Sequence, residues 1–325
     1  MTALSRRSLL AGAATLAGTA TLASTATLAS AATLAGSALA RSGNPTARKD
    51  HPFGYMFNTA TIMGQKLDLV KQIEIAATAG YDAIEPWIRD LEAHGKPAEV
   101  AKIIRDKGLT VESAIGFAPW IVAQEAARQK GLDQAKRDME LVLAIGGKRI
   151  AAPPVGATQE RLLDLRVVAD RYAQLCEVGA KIGVIPQVEL WGHSQTLQRL
   201  GETVLVAIES GHPQACILAD VFHLYKGGSR LGGIKWLNGA KMHVFHMNDY
   251  PAMKPNEIRD EHRVYPGDGI ADLTTLLRDL HESGFRGMLS LELFNRTYWK
   301  QDPLEVAKTG LSKMKAVVEK ALKRV

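Results

Sequence analysis

Four residues of types that bind metal ions stand at the ends of four successive apolar segments of the sequence. They are Glu189 in PQVEL, Asp220 in CILADV, His246 in MHVFHM and Glu292 in MLSLEL. Three carboxylates and one imidazole suit one divalent metal ion, of the Mn, Co, Mg or Zn kind, with coordination positions left for a substrate. Buried close together, these carboxylates would repel one another unless a cation or protons neutralise them.

Each of these residues has a simpler interpretation when it is taken alone. A glutamate in a strand can pair with a lysine or arginine at a rim, and a single histidine in a strand is commonly a buried core residue. One such residue at the same end of four consecutive strands favours a metal site over four separate accidents. His223, three residues after Asp220 in LADVFHLYKGG, is expected to face the same cavity and to contact a substrate rather than the metal.

The elements that must position these residues follow a regular pattern from about residue 53 onward, where short apolar segments alternate with amphipathic segments of helix length. The eight predicted strands are 53–58, 83–87, 110–116, 149–153, 185–190, 216–221, 242–247 and 288–293. The clearest predicted helices are 67–79, 133–145, 161–182 and 271–283. Several helices end at a glycine, as is common. Alternating strands and helices predict right-handed βαβ units and a parallel sheet.

The number of these units predicts an α/β fold, a single-domain (β/α)₈ TIM barrel over residues 53–325 that follows a linker over 41–52. A barrel of this kind typically needs about 250 residues. A doubly wound open sheet is the rival, but it usually has a glycine-rich phosphate loop after its first strand. The segment found there, NTATIMGQKLDL, has no such loop. Catalytic residues of a barrel lie at the carboxyl ends of its strands, where the four candidate ligands stand.

Residues 1–40 are predicted to be a signal peptide rather than part of the fold. They contain no acidic residue and repeat Ala-Thr-Leu in a low-complexity pattern. Arg6 and Arg7 before a weakly apolar stretch resemble a twin-arginine export signal, and ALA at 38–40 is a small-x-small cleavage site. A membrane anchor is the alternative, which the many Gly, Ser and Thr residues disfavour. The sequence therefore predicts a periplasmic or secreted protein without a stable membrane anchor after cleavage.

Charge and cysteine content narrow the function classes. Removal of residues 1–40 would remove two arginines and no acid, so the formal net charge would fall from +6 to +4. This mild excess, without a run of Lys or Arg, does not indicate nucleic acid as a partner. Cys176 and Cys216 belong to no C-x-x-C motif or Cys/His cluster. Two small buried residues are expected, although pairing between them stays open.

Five motifs in the second half of the chain carry a family resemblance. They are VELWGHSQ, LADVFHLYKGGS, FHMNDYP, DEHRVYPGDGIADL and SLELFNRTYW. Together they resemble the xylose isomerase-like barrel superfamily of sugar phosphate isomerases and epimerases, and within it the inosose (keto-inositol) isomerases. The resemblance is dense from about residue 185 to 300. It is specific for the superfamily and much less specific for the substrate.

The resemblance implies roles for individual residues. The implied metal ligands are Glu189, Asp220, His246 and Glu292. Two of them, Glu189 and Glu292, are also implied to be the catalytic acid and base. The implied substrate contacts are His193, His223 and Arg263. Gln195 stands where many ketohexose 3-epimerases have a glutamate, which weakens an assignment as an epimerase of free ketohexoses.

These roles predict an isomerase or epimerase of a small sugar or keto-polyol. Removal of the proton next to a carbonyl gives an enediolate, whose charge a divalent cation stabilises, and carboxylates can remove and return the proton. Glu85, at the end of the second predicted strand, is a further candidate that would bind a distal hydroxyl of the substrate. It is equally interpreted as a rim carboxylate paired with Arg89. The oligomeric state, including a homo-oligomer, stays open.

Three other functions remain as alternatives. An exported lyase of the same superfamily, acting on keto-glycosides, would begin with the same proton abstraction and then eliminate an oxygen substituent. A metal-dependent abasic-site endonuclease shares the Asp-x-x-His element, but its metal cluster takes extra histidines from strands two and three. Segments 83–87 and 110–116 contain no histidine. A non-catalytic sugar-binding protein would be expected to have lost a ligand, and all four are present.

Overall fold

A computed structural model of the chain describes residues 52–159 and 164–323. The predicted signal peptide and almost all of the predicted linker lie outside the described residues, as does the start of the helix predicted over 161–182. Over the residues that are described, none of the helices combines the length and the apolar character that a membrane span requires.

Parallel strands form one curled sheet in the described part of the chain. The strands are β1 (Gly54–Asn58), β2 (Ala83–Glu85), β3 (Arg149–Ala152), β4 (Ile185–Glu189), β5 (Ile217–Asp220), β6 (Met242–Met247) and β7 (Met288–Leu291). Their order in the sheet is β2-β1-β7-β6-β5-β4-β3, and every pairing is parallel. This is the predicted TIM-barrel architecture.

Helices connect successive strands and surround the sheet. They are α1 (Leu69–Ala79), α2 (Ile88–His94), α3 (Pro97–Asp106), α4 (Glu125–Ala144), α5 (Leu165–Ile182), α6 (Leu200–Glu209), α7 (Val221–Lys226), α8 (Leu273–Glu282) and α9 (Pro303–Leu322). Helices α1 and α5 are followed directly by Gly80 and Gly183, whose φ angles of 91° and 92° are in the left-handed region that glycine adopts without strain. Cys176 and Cys216 are both buried free thiols.

The third predicted strand, 110–116, does not form a regular strand, so the prediction of eight strands is wrong at this point. Isolated parallel bridges link Thr110 to Ala83, Ile115 to Trp87 and Ala114 to Ile150. The backbone bends at Glu112 between these bridges, and glutamate is disfavoured in strands. The segment therefore spans the space between β2 and β3 and pairs with each of them only locally.

Two layers of side chains fill the inside of the barrel. The apolar layer consists of Met56, Ala83, Ile115, Ala151, Leu218, Val244 and Met288. The polar layer consists of the buried residues Asn58, Glu85, Glu189, Asp220, His246, Ser290 and Glu292. Five members of the polar layer stand two positions after a member of the apolar layer on the same strand, as Asp220 does after Leu218. Because side chains alternate between the two faces of a strand, both layers point inward.

Candidate active site

His246 lies at the centre of the polar layer and has no solvent exposure (0%). Its Nδ1 atom lies 3.2 Å from Oε2 of Glu292, 3.9 Å from Oε1 of Glu189 and 4.0 Å from Oδ2 of Asp220. Ligand atoms of Asp220, His246 and Glu292 all lie within 4.8 Å of one another. Three of the four residues that the sequence proposes as metal ligands thus form one group, and Glu189 lies beside it, 3.9 Å from Nδ1 of His246.

Strand register explains why these residues meet. Asp220 and His246 are paired partners on β5 and β6, and the backbone N–H of Glu292, directly after β7, donates to the carbonyl of Met247 at 3.1 Å. Asp220 also ends its strand and begins α7, because its Oδ1 accepts from the backbone N–H of His223 at 2.7 Å. The carboxyl ends of adjacent parallel strands therefore place their side chains at one edge of the barrel.

The arrangement fits a divalent metal ion. Nδ1 of His246 is buried and has no hydrogen-bond partner, while three carboxylates face it. Burial, aided by the neighbouring carboxylates, raises the pKa of Glu189 to about 8, although His246 lowers it. A cation held by Nδ1 and carboxylate oxygens would satisfy the nitrogen and relieve the repulsion between the carboxylates.

Arg263 is almost fully buried (1% exposed) and binds two of the candidate ligands. Its Nη1 donates to Oδ2 of Asp220 and to Oε2 of Glu292, both at 2.8 Å. Asp260 accepts from Nε and Nη2 of the same guanidinium, at 3.1 and 2.7 Å. Burial lowers the pKa of Arg263, but the three carboxylates outweigh this effect and raise it above its usual value. The sequence predicts a substrate contact here, and the structure adds that Arg263 orients Asp220 and Glu292.

The same guanidinium affects Glu292 and His223 in different ways. Burial raises the pKa of Glu292, but His246 and Arg263 reverse this and lower it to about 2. Nη2 of Arg263 lies 3.2 Å from Nε2 of His223. Because a guanidinium can only donate, this nitrogen must accept, so the imidazole is neutral and its proton is on Nδ1. Burial lowers the pKa of His223 to about 4, in agreement with a neutral ring.

His223 is placed where the sequence predicts a substrate contact. It is buried beside Asp220 but does not belong to the group of ligand atoms around His246. Its Nδ1 atom is buried and has no hydrogen-bond partner. A donor in this position can bind a hydroxyl or carbonyl oxygen of a substrate, which would satisfy it.

Aromatic side chains surround the mouth of the barrel at the carboxyl ends of the strands. The rings of Trp87 and Phe117 are 4.9 Å apart, those of Phe117 and Trp191 are 6.2 Å apart, and Phe294 lies 6.2 Å from Trp87. His193 is exposed and stacks on Trp191 at 5.1 Å. His193 therefore lies at the outer edge of the site, above the polar layer. Ring faces of this kind suit the C–H face of a sugar ring.

Glu85 is in the interior of the polar layer, with no solvent exposure (0%). Its Oε2 accepts from Oγ of Ser290 at 2.7 Å and lies 3.1 Å from Nε2 of His246. Arg89, its alternative partner, lies instead 3.3 Å from Asp90. The interpretation of Glu85 as a rim ion pair with Arg89 is therefore wrong.

Two asparagines that the sequence alone does not indicate as functional residues donate hydrogen bonds to the carboxylates of the polar layer. Nδ2 of Asn58 donates to Oε2 of Glu85 and to Oε1 of Glu292, both at 3.1 Å. Nδ2 of Asn248 donates to Oδ2 of Asp220 at 2.8 Å. Asn58 is the last residue of β1 and lies at the same edge as the other candidates, so its position at a strand end could have indicated that it belongs to the site.

Asp249 fixes the loop that carries Arg263. Its backbone pairs with Val264 through two hydrogen bonds of 2.9 Å. Its carboxylate accepts from the backbone N–H groups of Gly267 and Ala271, both at 3.0 Å. Residue 269 must be a glycine because a Cβ there would collide with the Asp249 side chain. The Arg263 loop is therefore tied to the end of β6.

Comparisons with known proteins agree with this architecture. The model of the xylose isomerase-like TIM barrel family matches residues 73–317. The inosose isomerase of Bacillus velezensis is 28% identical over 276 residues, which cover 81% of this chain and 96% of that protein. The 3-dehydroshikimate dehydratase of Pseudomonas putida is 28% identical over 253 residues, covering 75% of this chain and 39% of that longer protein.

A solved structure shows the same fold. The crystal structure of an IolI protein with a bound zinc atom superimposes with a TM-score of 0.77 at 23% identity, covering 84% of this chain and 100% of that one. The curated relatives identify the chain as an enzyme of the isomerase or epimerase type. The family match extends over most of the barrel and confirms the resemblance that the motifs indicate. The chain belongs to the xylose isomerase-like TIM barrel family.

Proposed function

We propose that this enzyme is a divalent-metal-dependent isomerase or epimerase of a sugar or keto-polyol, and that it removes a proton from the carbon next to a carbonyl group. The observation that carries the proposal is the convergence of Glu189, Asp220 and Glu292 on Nδ1 of His246, at 3.2 to 4.0 Å. The inosose isomerase relative supports a cyclic keto-polyol as substrate. The zinc atom of the IolI structure supports a divalent metal.

The residues of the polar layer would divide the chemistry between them. A divalent cation held by the four candidate ligands would act as a Lewis acid toward the substrate oxygen that gains negative charge. Glu189 and Glu292 approach the space next to His246 from β4 and β7. One carboxylate would take the proton from the substrate carbon, and the same or the other would return it to the product carbon.

Positioning of the carboxylates supports this division of roles. Glu292 is oriented by Arg263 at 2.8 Å and by Asn58 at 3.1 Å. Its proton-accepting oxygens are therefore fixed before a substrate arrives, which reduces the reorganisation needed in the transition state. The unpaired Nδ1–H of His223 would bind a substrate oxygen from the side of α7.

An elimination reaction is the second candidate function. The dehydratase relative from Pseudomonas putida favours it, because removal of water next to a carbonyl begins with the same proton abstraction. The site geometry is common to both reactions. Only the products, an isomer in one case and an unsaturated ketone in the other, separate them.

Solvent exchange tests the proposal. Candidate keto-inositols, keto-sugars and keto-glycosides would be incubated with the Mn²⁺-loaded enzyme in D₂O and analysed by NMR after removal of the metal. We expect deuterium at the carbon next to the carbonyl together with an isomeric product. The Glu189→Gln/Glu292→Gln double variant provides the background rate. Deuterium incorporation with loss of an oxygen substituent would instead establish the lyase, and exchange equal to the double variant for every substrate would refute enolisation.

A further inference from the structure

We infer that Glu85 is a positioning residue, which fixes the orientation of the His246 ring and the nitrogen that this ring presents to the metal site. The inference rests on the proposed metal-dependent function. It differs from the sequence-based prediction that Glu85 contacts a distal substrate hydroxyl, because it makes Glu85 act through His246.

The contact between the two side chains sets the proton position on the ring. Oε2 of Glu85 lies 3.1 Å from Nε2 of His246, and both side chains are 0% exposed. Oε2 also accepts from Nδ2 of Asn58, which can only donate, so this oxygen acts as the acceptor and Nε2 carries the hydrogen that it donates. In the neutral ring the lone pair is then on Nδ1, the atom that faces Glu292 and Glu189. A carboxylate on the far nitrogen of a metal-binding histidine has this effect generally.

Glu85 is itself held in place by neutral donors. Its Oε2 accepts from Oγ of Ser290 at 2.7 Å and from Nδ2 of Asn58 at 3.1 Å. The Asn58 amide cannot turn over without loss, because its Oδ1 accepts from Nε1 of Trp87 at 3.1 Å and from the backbone N–H of Ala60 at 3.0 Å. These bonds fix the carboxylate before any ligand binds.

The surroundings of Glu85 leave His246 as the group on which it acts. Within residues 52–159 and 164–323, His246 is the only basic side chain at ion-pair distance from Glu85. The second carboxylate oxygen, Oε1, is buried without a hydrogen-bond partner. This oxygen is the one atom through which a substrate hydroxyl could still reach Glu85, so the experiment must separate a metal effect from a substrate effect.

Metal affinity gives the first measurement. The dissociation constant for Zn²⁺ would be measured by competition with a chelating dye, with metal-stripped wild type, Glu85→Gln and Glu85→Ala. Loss of a group that orients a metal ligand typically weakens metal binding by about 10–100-fold. We expect a weakening in this range for Glu85→Ala and a smaller one for Glu85→Gln, which keeps an acceptor oxygen. At saturating metal, the KM for the keto compound that shows solvent exchange should stay near that of the wild type.

A carboxylate at the opposite end of the barrel provides the matched control. Glu112 is paired with Arg149 at 2.9 Å, beside the start of β3 and away from the polar layer. Glu112→Gln replaces a partly buried carboxylate by an amide, as Glu85→Gln does, and the metal affinity of this variant should equal that of the wild type. Circular dichroism checks folding of all variants. If Glu85→Ala does not fold, Glu85→Gln decides.

The proton position on the ring gives a second measurement that needs no metal. In the metal-free protein, burial lowers the pKa of His246, but the neighbouring carboxylates Glu292 and Glu85 outweigh this effect and raise it, so ¹⁵N-histidine NMR would be recorded at a pH high enough to make the ring neutral. The neutral ring should then carry its proton on Nε2, a signal assigned by its loss in His246→Gln. This preference should be lost in Glu85→Ala. Unchanged metal affinity in both Glu85 variants would overturn the inference, and a raised KM in the same variants would make Glu85 a substrate contact.

The two proposals fail in different ways. A wild type that binds no divalent ion would overturn both the metal-dependent function and the role of Glu85. Normal metal binding by the wild type and by both Glu85 variants would overturn only the positioning role. Metal binding that weakens in the Glu85 variants, in an enzyme that exchanges no substrate proton, would support the positioning role and refute enolisation.

Discussion

The two layers inside this barrel lie on the same strands, yet burial has opposite consequences in them. In the apolar layer, Leu218 and Met288 contact other apolar side chains, and their removal from water stabilises the fold. In the polar layer, Asp220 and Ser290 stand two residues further along, about 7 Å away. Burial there costs free energy unless each polar group finds a partner. The comparison indicates that inward-facing positions two residues apart on the same strand serve different purposes, one for the stability of the fold and the next for chemistry.

The polar layer and its surroundings are not balanced in charge. Glu85, Glu189, Asp220 and Glu292 are buried carboxylates, against one buried guanidinium, Arg263, and the imidazole of His246. Such a surplus of buried negative charge is unfavourable unless a further cation or protons neutralise it, and burial raises the pKa of Glu189 to about 8 accordingly. The apolar layer contains no charge that needs a partner. A substitution in the polar layer should therefore affect metal binding and turnover, whereas a substitution in the apolar layer should affect the free energy of unfolding.

The largest effect on turnover is expected for the two candidate proton carriers. Glu189→Gln and Glu292→Gln keep the size of the side chain but remove the group that accepts a proton. Loss of a general base typically lowers kcat by about 10²–10⁴-fold. Steady-state kinetics at saturating Mn²⁺ measure this, with metal content determined in the same samples. A kcat close to that of the wild type in both variants would leave the polar layer as a metal-binding scaffold without proton transfer.

A second effect separates metal binding from substrate binding within the polar layer. Asp220→Asn and His246→Gln should lose most of the tightly bound metal while the barrel stays folded. Asn at 220 can still accept from the backbone N–H of His223 and begin α7, because asparagine is a good N-cap residue. Elemental mass spectrometry gives the metal content and circular dichroism the fold. Full metal occupancy in both variants would remove these residues from the ligand set.

His223→Asn is the matched contrast to those two variants. His223 is buried beside Asp220, but its side chain contacts Arg263 rather than the ligand atoms around His246. We expect normal metal content, a raised KM and a slower turnover. A variant that loses metal as Asp220→Asn does would place His223 among the ligands.

The sequence predicted the members of the polar layer that end apolar runs and carry charge. Glu189, Asp220, His246 and Glu292 stood out because the carboxyl ends of parallel strands meet at one edge. The sequence could not show that the Glu85 side chain points toward His246 inside the barrel, because strands buried on both faces show no alternation of polar and apolar residues. The orientation of this side chain depends instead on a hydrogen bond from Asn58, which is far away in the sequence.

Loop conformation explains the remaining differences. Arg263 is on a loop whose path is fixed by Asp249 through single hydrogen bonds, and no periodic pattern encodes such a path. The apolar pattern of 110–116 indicates a strand, but pairing is interrupted where the backbone bends at Glu112. Periodicity therefore predicted the barrel and the strand ends. Contacts between residues distant in the sequence decide which side chains, such as Arg263 and Asn58, bind the candidate ligands.

The smallest effect on turnover is expected for substitutions in the apolar layer, which should lower stability without changing the chemistry. Leu218 is fully buried and precedes Asp220 by two residues. Leu218→Ala leaves a cavity, which typically lowers the free energy of unfolding by about 2–5 kcal/mol, whereas the volume-conserving Leu218→Met should lower it by less than about 1.5 kcal/mol. Urea unfolding measures both.

Turnover and metal content of the folded Leu218→Ala protein at 25 °C should stay near those of the wild type, because Asp220 is held by Arg263 and Asn248 and not by the leucine side chain. The alanine variant would contradict the separation of the layers if it lost metal or turnover as the polar variants do. In that case the packing below Asp220 would set the position of this ligand, and the apolar layer would belong to the active site.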